Sequence, residues 1–435
     1  MPYDKEISGL APRRAARELL HSVLRRRTGL DAALGESRTF QTLEGPDRAF
    51  ARALTSTTLR RLGAVDAVID GFLNKPLTKN AAPAEDILRL GAAQILYLET
   101  PPHAAVSTAV ALADAMKNAR PFKGLINAVL RKIGDRGASL ADELPLRINT
   151  PGWLWRSWER AYGAQTARKI VEAHLSEAML DISAKDDPAG WADRLEGEVL
   201  ATGTVRRATT NRIAALPGFD EGAWWVQDAA AALPARLLGD VADRRVIDLC
   251  AAPGGKTMQL AAAGAQVLAV DKSGDRMRRV RRNLERAMLS AETVASDMLD
   301  WRPETPAPFV LLDAPCSATG TIRRHPDLPW IKSEEDVAGL VKLQAAMINA
   351  AADMTAPGGT LVYCVCSLQP EEGAAQIEAA LGRRVDLARA PITPEEVNGL
   401  KAGVTDKGDL RTLPFMWGEK GGMDGFFAAR LVKSA

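Results

Sequence analysis

Two cysteines and an aspartate are the residues of this sequence that could carry covalent chemistry. Asp313 and Cys316 stand in the segment DAPCS, and Cys366 ends the segment YCVC. A cysteine thiolate is a strong nucleophile that can bond transiently to an electron-poor carbon. Carbon 5 of cytosine, for example, accepts a substituent only after a thiolate has added to carbon 6 of the ring. The residue types leave open whether Cys316 or Cys366 would attack.

The surroundings of these cysteines narrow the possible chemistry. In such a reaction Asp313 would hydrogen-bond to ring nitrogen 3 and to the exocyclic amine while the adduct forms.

The other two cysteines, Cys250 and Cys364, are expected to be small hydrophobic residues of the interior. The four cysteines show neither a disulfide framework nor the CxxC pairs of a zinc site, which predicts reduced thiols in the cytosol. The four histidines are scattered, and no metal site is predicted.

A turn of small residues predicts a cofactor site. An apolar run at Val246–Leu249 is followed by CAAPGGKT, which is typical of a strand that enters a turn and then a helix. Glycine lets a backbone approach a ligand closely, and ligands of open α/β sheets bind at the carboxyl ends of strands. A P-loop would need glycine at position 250, so the Gly-Lys-Thr sequence does not indicate an ATPase. The predicted cofactor-binding residues of the turn are Cys250, Ala251, Ala252, Pro253, Gly254, Gly255 and Lys256.

Acidic residues after the next strands extend this predicted site. Asp271 ends a strand roughly twenty residues beyond the turn, where a carboxylate can accept both ribose hydroxyls of a nucleoside. Asp297 ends a third strand and could hold an adenine amino group, although a turn cap is an equally good interpretation. We predict that Arg276 also contacts the cofactor. Most other arginines of its helix are expected on a solvated outer face. Adenosylmethionine and a dinucleotide both suit such a site.

Hydrophobic patterning predicts a multidomain chain of 435 residues. Helical periodicity over residues 1–140 indicates an all-α domain, and residues 145–220 are expected to form a small α+β linker domain. Residues 221–435 alternate strand and helix patterns, which predicts an α/β Rossmann-like domain with a parallel sheet. The strand patterns of this domain are Val246–Leu249, Val267–Val270, Phe309–Leu312 and Leu361–Val365.

Charge and hydropathy exclude several classes of protein. Lysine and arginine number 56 against 54 aspartates and glutamates, so any surface for nucleic acid must be local. Arginines crowd the segment from Arg13 to Arg27, which could contact phosphate or form the solvated face of a helix. The N-terminal segment MPYDKEISGL lacks the layout of a signal peptide, and no apolar run approaches the roughly 18 residues of a membrane span. Neither export nor membrane insertion is expected.

Four long motifs resemble one known family. DLCAAPGGKT, LLDAPCSATGTIRRHPD, YCVCSLQPEEG and MDGFFAARL are similar to the Sun/Fmu-type, RsmB-like ribosomal RNA cytosine-5 methyltransferases. The segments FKGLINAVLRKI and ILRLGAAQILYLETPPHAAV resemble the NusB-like RNA-binding module of the same branch. The resemblance covers nearly the whole chain, and the linker domain is its least specific part.

The resemblance implies roles for individual residues. It assigns the nucleophile to Cys366 and assistance in product release to Cys316, and it places Asp313 between the cofactor and the base. Lys256 would lie near the cofactor or the phosphate of the target nucleotide. Arg323 and Arg324 would lie at the mouth of the base pocket and hold RNA phosphates, whereas a loop salt bridge is the alternative.

The function that the resemblance implies is methylation of carbon 5 of a cytosine in 16S ribosomal RNA, with S-adenosylmethionine as the methyl donor. We expect a cytoplasmic monomer that binds small-subunit ribosomal RNA and needs neither a membrane nor a metal. Two alternatives stay open: a transfer-RNA cytosine-5 methyltransferase, and a non-catalytic RNA-binding or antitermination factor. The role of Cys364, where the family usually has a small non-thiol residue, also stays open.

Overall fold

The computed structural model describes residues 9–209 and 212–435, which form two compact units. One unit comprises residues 9–176 together with Arg324–Lys332, and the other comprises Glu177–Arg323 and Ser333–Ala435. The first eight residues, which carry most of the expectation about a leader peptide, lie outside the described part. Among the described helices, none is both long enough and apolar enough to cross a membrane.

The first unit is all α-helical. Its core is continuous because buried apolar side chains recur at helical spacing, as Ile87 and Leu90 do in the helix Ala82–Tyr97. Gly91 allows the helix Lys123–Asp142 to approach that helix, since a Cβ atom at position 91 would lie 2.5 Å from Leu130 Cδ1. Its helices are α1 (Leu10–Arg26), α2 (Leu30–Glu36), α3 (Arg38–Gln41), α4 (Gly45–Arg60), α5 (Leu62–Phe72), α6 (Ala82–Tyr97), α7 (Pro102–Ala115), α8 (Lys123–Asp142), α9 (Gly152–Tyr162), α10 (Ala164–His174) and α15 (Leu328–Ile331).

The second unit contains two sheets and six α-helices within the described residues. The smaller sheet is antiparallel in the order β2-β3-β1-β4, with β1 (Leu180–Ala184), β2 (Glu198–Val199), β3 (Val205–Arg207) and β4 (Trp224–Val226). The helices are α11 (Pro188–Arg194), α12 (Leu233–Arg236), α13 (Gly255–Ala262), α14 (Gly274–Arg286), α16 (Glu334–Met354) and α17 (Ala374–Arg383). A buried ion pair between Arg206 and Asp181 ties β3 to β1, with 2.6 Å between Arg206 Nε and Asp181 Oδ1.

The larger sheet carries the predicted Rossmann-like topology. Its strand order is β10-β12-β9-β8-β5-β6-β7, and β11 pairs with β12. The strands are β5 (Arg245–Leu249), β6 (Gln266–Asp271), β7 (Glu292–Ala295), β8 (Ala307–Asp313), β9 (Thr355–Val365), β10 (Leu387–Arg389), β11 (Leu410–Thr412) and β12 (Phe426–Lys433). Strands β5 to β9 run parallel, whereas β12 pairs antiparallel with β9. The multidomain fold class, with an all-α domain and an α/β domain, is thereby confirmed.

The division into compact units differs from the boundaries expected from the sequence. The break falls between Ser176 and Glu177, whereas the sequence suggested breaks near residues 140–145 and 220–221. The segment before α9 packs against α5, because Asn149 Oδ1 accepts a hydrogen bond from the Ala64 amide at 3.0 Å. The helices α9 and α10 belong to the helical unit, whereas α11 and the strands β1, β2 and β3, which also fall within residues 145–220, belong to the second unit.

Candidate active site

The two predicted cysteine segments meet at the carboxyl ends of β8 and β9. These neighbouring strands run parallel and pair Asp313 with Cys364, so both chains leave the sheet at the same edge. Backbone hydrogen bonds hold the two exits together, from the Ala314 amide to Cys364 O and from the Gly320 amide to Cys366 O, both 3.0 Å long. The Sγ atoms of Cys316 and Cys366 lie 3.5 Å apart, and both residues are half-buried.

The two sulfur atoms differ in their surroundings. A hydrogen bond with Cys366, together with burial and the negative charge of Glu372, holds the pKa of the Cys316 thiol well above its ordinary value. Cys316 therefore keeps its proton and can donate it toward the sulfur of Cys366. The two sulfurs lie within hydrogen-bond distance, so one thiol can support the chemistry of the other.

Asp313 is paired with a buried lysine. Lys256 Nζ lies 2.8 Å from Asp313 Oδ2 and 4.9 Å from the centre of the Phe426 ring. Burial alone would lower the pKa of Lys256, but the charge of Asp313 and the hydrogen bond with it outweigh burial and raise the pKa. The ammonium group stays charged beside the carboxylate. The pair thus offers a hydrogen-bond acceptor and a positive charge at the end of β8, the strand that leads into the Cys316 segment.

Cys364 lies fully buried on the other side of this carboxylate. Its thiol donates to Asp313 Oδ1 at 3.4 Å. Burial, followed by the charge of Asp313, raises the pKa of Cys364 well above its ordinary value, so this thiol stays neutral. Burial likewise raises the pKa of Cys250, which belongs to the preceding turn. Neither sulfur has the environment of a nucleophile, in keeping with the expectation from the sequence.

The turn between β5 and α13 has the shape of a cradle for a ligand. Gly254 takes a φ of +100°, and a Cβ atom there would lie 3.2 Å from Val280 Cγ1. The Ala252 amide donates to Asp271 Oδ2 at 3.1 Å, so the turn is tied to the end of β6. Arg276 also contacts this corner, through Asp271 and the carbonyl oxygen of Ala252.

The acidic residues of this corner can hold a nucleoside. Asp271 is buried, and each of its two oxygens accepts one backbone hydrogen bond, from the amides of Ala252 and Ser273. Each oxygen keeps a second lone pair that can accept from a hydroxyl group. Asp297 caps a turn by accepting from the Leu299 amide at 3.0 Å, and Lys272 pairs with its other oxygen. The Leu299 amide and Lys272 lower the pKa of Asp297, so it stays an acceptor. The donors and acceptors present suit an adenosine-containing cofactor.

The two predicted RNA-contacting arginines differ in their surroundings. Arg323 is only 2% exposed, donates to Gly421 O, and lies 3.7 Å from Asp228 and 3.8 Å from Asp424. This geometry favours the structural alternative, a loop salt bridge, for Arg323. Arg324 is exposed and belongs to the helical unit, in which the neighbouring Asp327 accepts a hydrogen bond from the Leu30 amide.

Sequence reasoning missed two buried acids of the α/β unit. Asp248 lies within β5 and accepts a hydrogen bond from Thr257 at 2.6 Å, and burial raises its pKa to about 7. Glu372 follows β9 and bridges the two cysteine segments. Two features of the sequence could have pointed to these acids. Asp248 is an acid inside an apolar run, and Glu372 is a glutamate in the segment LQPEEG. In the described part of the chain, no group of three or more histidines, cysteines and acids is arranged to hold a metal ion.

Fold and site together define an S-adenosylmethionine-dependent methyltransferase with an N-terminal NusB-like domain. The family model for the 16S rRNA methyltransferase RsmB/F matches residues 235–432, and the NusB family model matches residues 10–135. Proteins named ribosomal RNA small subunit methyltransferase B from Salmonella arizonae and Salmonella typhi are each 36% identical over 411 residues, covering 90% of this chain and 92% of theirs. The chain belongs to the RsmB/F family of 16S rRNA methyltransferases, and its cofactor is S-adenosylmethionine.

Solved structures share this fold. The crystal structure of PH0851 superposes with a TM-score of 0.73 at 21% identity and covers 97% of this chain and 99% of its own. NSun6 from Pyrococcus horikoshii, solved with SFG, gives a TM-score of 0.54 at 19% identity over 66% of this chain and 98% of its own. At these identities the likeness concerns the fold.

Proposed function

We propose that this enzyme methylates carbon 5 of a cytosine in small-subunit ribosomal RNA through a covalent bond between Cys366 and carbon 6. The supporting observation is the placement of two thiols 3.5 Å apart at one sheet edge, with the Asp313–Lys256 pair on the adjoining strand and turn. Methyltransferases that act on nitrogen or oxygen need no such thiol pair, because those atoms are already nucleophilic.

The first step of the proposed reaction is addition to the ring. The Cys366 thiolate forms a bond to carbon 6, and the electrons of the carbon 5–carbon 6 double bond move to make carbon 5 nucleophilic. The Asp313 carboxylate accepts a hydrogen bond from the exocyclic amine, and the Lys256 ammonium group offsets the negative charge that the ring gains. Bound S-adenosylmethionine supplies the methyl group that carbon 5 then takes up.

The second step restores the aromatic ring. A water molecule takes the proton of carbon 5, the electron pair of that bond re-forms the double bond, and the bond between carbon 6 and Cys366 breaks. The electron pair of the broken bond returns to the sulfur of Cys366 as a thiolate. The protonated Cys316, 3.5 Å away, hydrogen-bonds to the departing sulfur and stabilises its charge.

The proposed substrate is RNA of the small ribosomal subunit, as the names of the relatives state for those proteins. Extrusion of the cytosine would let its edge reach the pocket. The helical unit supports docking of RNA, because Arg14 and Arg26 are exposed on α1. We further propose that the enzyme is a monomer in the cytoplasm. In this proposal Arg324 contacts RNA phosphate, and the turn after β5 binds S-adenosylmethionine together with Asp271, Arg276 and Asp297.

Trapping with RNA that contains 5-fluorocytosine tests the covalent step. Fluorine cannot leave carbon 5 as a proton does, so the adduct of the native enzyme persists and slows the protein on a denaturing gel. We expect the Cys366→Ala variant to give no adduct and the Cys316→Ala variant to give one, including on ordinary RNA. Cys364→Ala is the matched control, because it removes a thiol of the same strand, and it should trap as the native protein does. An adduct that survives Cys366→Ala would contradict the proposal.

Bisulfite sequencing of RNA from a deletion strain tests the substrate. We expect one small-subunit cytosine to lose its methyl group and regain it when the native gene is supplied, but not with Cys366→Ala. Intact methylation of the small subunit with a lost site in transfer RNA would identify the transfer-RNA alternative instead. Calorimetry that detects no binding of S-adenosylmethionine would point to the non-catalytic alternative.

A further inference from the structure

A fully buried glutamate lies directly behind the two cysteines. Glu372 has 0% exposure and follows β9 in the segment Pro370–Glu372. The Ser317 amide donates to Glu372 Oε1 at 2.8 Å, and Gln344 Nε2 donates to the same oxygen at 3.1 Å. The hydroxyl groups of Ser317 and Ser367 both donate to Glu372 Oε2, each at 2.5 Å. The carboxylate therefore accepts four hydrogen bonds.

These donors connect the carboxylate to both catalytic segments. Ser317 follows Cys316 in the sequence and Ser367 follows Cys366, so each cysteine is one peptide bond from a serine that Glu372 holds. Because both hydroxyl groups reach the same oxygen, the carboxylate sets the distance between them, and their Oγ atoms lie 3.1 Å apart. Thr319 adds a further link, since its hydroxyl lies 3.3 Å from Ser367 Oγ and accepts from the Leu368 amide at 3.0 Å.

A buried acid suits this place better than a neutral residue. A carboxylate is an acceptor only, and all four groups that face it are donors. Its negative charge also contributes to the raised pKa of Cys316, after the hydrogen bond with Cys366 and burial. The same residue thus ties the segments together and favours the protonated form of Cys316.

We propose that Glu372 is a positioning residue that holds the Cys316 thiol at the Cys366 sulfur for release of the methylated base. The inference rests on the proposed function and adds to it. It assigns the geometry of the release step to a residue that lies behind the two cysteines. Glu372 itself does not touch the substrate in this account. Its effect on the reaction passes through the serine links to the two cysteines.

The test is the accumulation of covalent protein–RNA adduct on RNA with ordinary cytosine. We expect Glu372→Ala to form the adduct and to methylate in the first turnover, but to release product roughly 10- to 100-fold more slowly than the native enzyme. Ser317→Ala removes only the hydroxyl link to the Cys316 segment and should show the same build-up in weaker form. Glu372→Gln keeps the shape and should lose less activity than Glu372→Ala.

Two controls keep this test decisive. Asp409→Asn removes the charge of another buried acid of the α/β unit, 2% exposed and paired with Arg389, and should not accumulate adduct. Titration with S-adenosylmethionine checks that each variant is folded, and Ser317→Ala decides the matter if Glu372→Ala does not bind it. Variants that release product at the native rate, or that lose first-turnover methylation without build-up of adduct, would overturn the inference. Failure of the native enzyme to trap on 5-fluorocytosine would instead refute the covalent mechanism.

Discussion

Asp248 is an acid in the centre of an apolar sheet, and its protonation links stability to pH. One of its oxygens accepts from Thr257, and the other has no hydrogen-bond partner within the described residues. Burial raises the pKa from 3.8 to about 7, so the folded chain holds a proton that the unfolded chain has already lost at neutral pH. The stabilisation is complete below pH 3.8 and is lost as the pH rises through 7.

Asp248→Asn removes this linkage and keeps an acceptor for Thr257. We expect the free energy of unfolding of the variant, minus that of the native protein, to rise by roughly 1–4 kcal/mol between pH 4 and 7 and then to level off. Urea denaturation at several pH values measures the difference. A difference that is constant across this range would show that Asp248 is charged in the folded protein throughout.

The proximity of the candidate site residues could be predicted from the sequence, but the residues that support them could not. Cys316, Cys366 and Asp313 follow apolar runs, and residues that follow parallel strands meet at one sheet edge, so their proximity could be predicted. The attacking sulfur could not be chosen from residue types, and the contacts of Cys316 with Cys366 and of Glu372 with the two serines arise only when the chain folds. The roles assigned to individual cofactor residues stay predictions.

At the scale of elements, the turn after β5 depends on a backbone conformation that glycine provides. Gly254 has a φ of +100°, and α13 begins at the next residue. We expect Gly254→Ala to lower the free energy of unfolding by roughly 1–2 kcal/mol, because the new methyl group is strained at this φ and crowds Val280. Affinity for S-adenosylmethionine, measured by calorimetry, should fall in parallel.

Gly274→Ala is the matched control for this substitution. Gly274 begins α14 without a positive φ, and no atom outside its own neighbours lies within 4 Å of a Cβ placed there. We expect Gly274→Ala to keep the free energy of unfolding and the affinity for S-adenosylmethionine close to those of the native protein. Equal effects of the two alanine substitutions would show that the conformation of Gly254 does not shape the site.

The parallel strands could be predicted more accurately than the ends of other elements. The apolar runs at Val246–Leu249, Val267–Val270 and Phe309–Leu312 fall inside β5, β6 and β8. The strand β9 begins earlier than the expected Leu361, at Thr355, because the segment TAPGG, which is typical of a turn, pairs with β8 across a register irregularity. The helix α8 continues to Asp142, just past the expected end of the helical domain at residue 140, and Gly137 packs closely against Leu96.

At the scale of the whole molecule, the chain has separate hydrophobic cores in its two units. We expect calorimetric unfolding to show more than one transition, because a chain with several cores need not unfold in a single step. S-adenosylhomocysteine should raise the temperature of one transition only, that of the α/β unit which carries the cofactor turn. A single transition that shifts as a whole would contradict this expectation.

Contacts between distant parts of the sequence were beyond sequence reasoning. Arg324, which was expected at the mouth of the base pocket, lies in the segment Arg324–Lys332 of the helical unit, where Trp330 donates to Leu59 O at 2.9 Å. These partners are 271 positions apart, and no local pattern or periodicity records such a pairing. The all-α and α/β fold classes followed from hydrophobic patterning, whereas the membership of this segment did not.

Mass spectrometry of the protein trapped on 5-fluorocytosine RNA identifies the sulfur that bonds to the base. After nuclease and protease digestion, the account predicts a methylated fluoropyrimidine nucleotide bonded to the sulfur of Cys366, in the peptide that contains YCVCS. A nucleotide attached to Cys316, or a trapped complex that carries no covalent bond to either sulfur, would contradict the account.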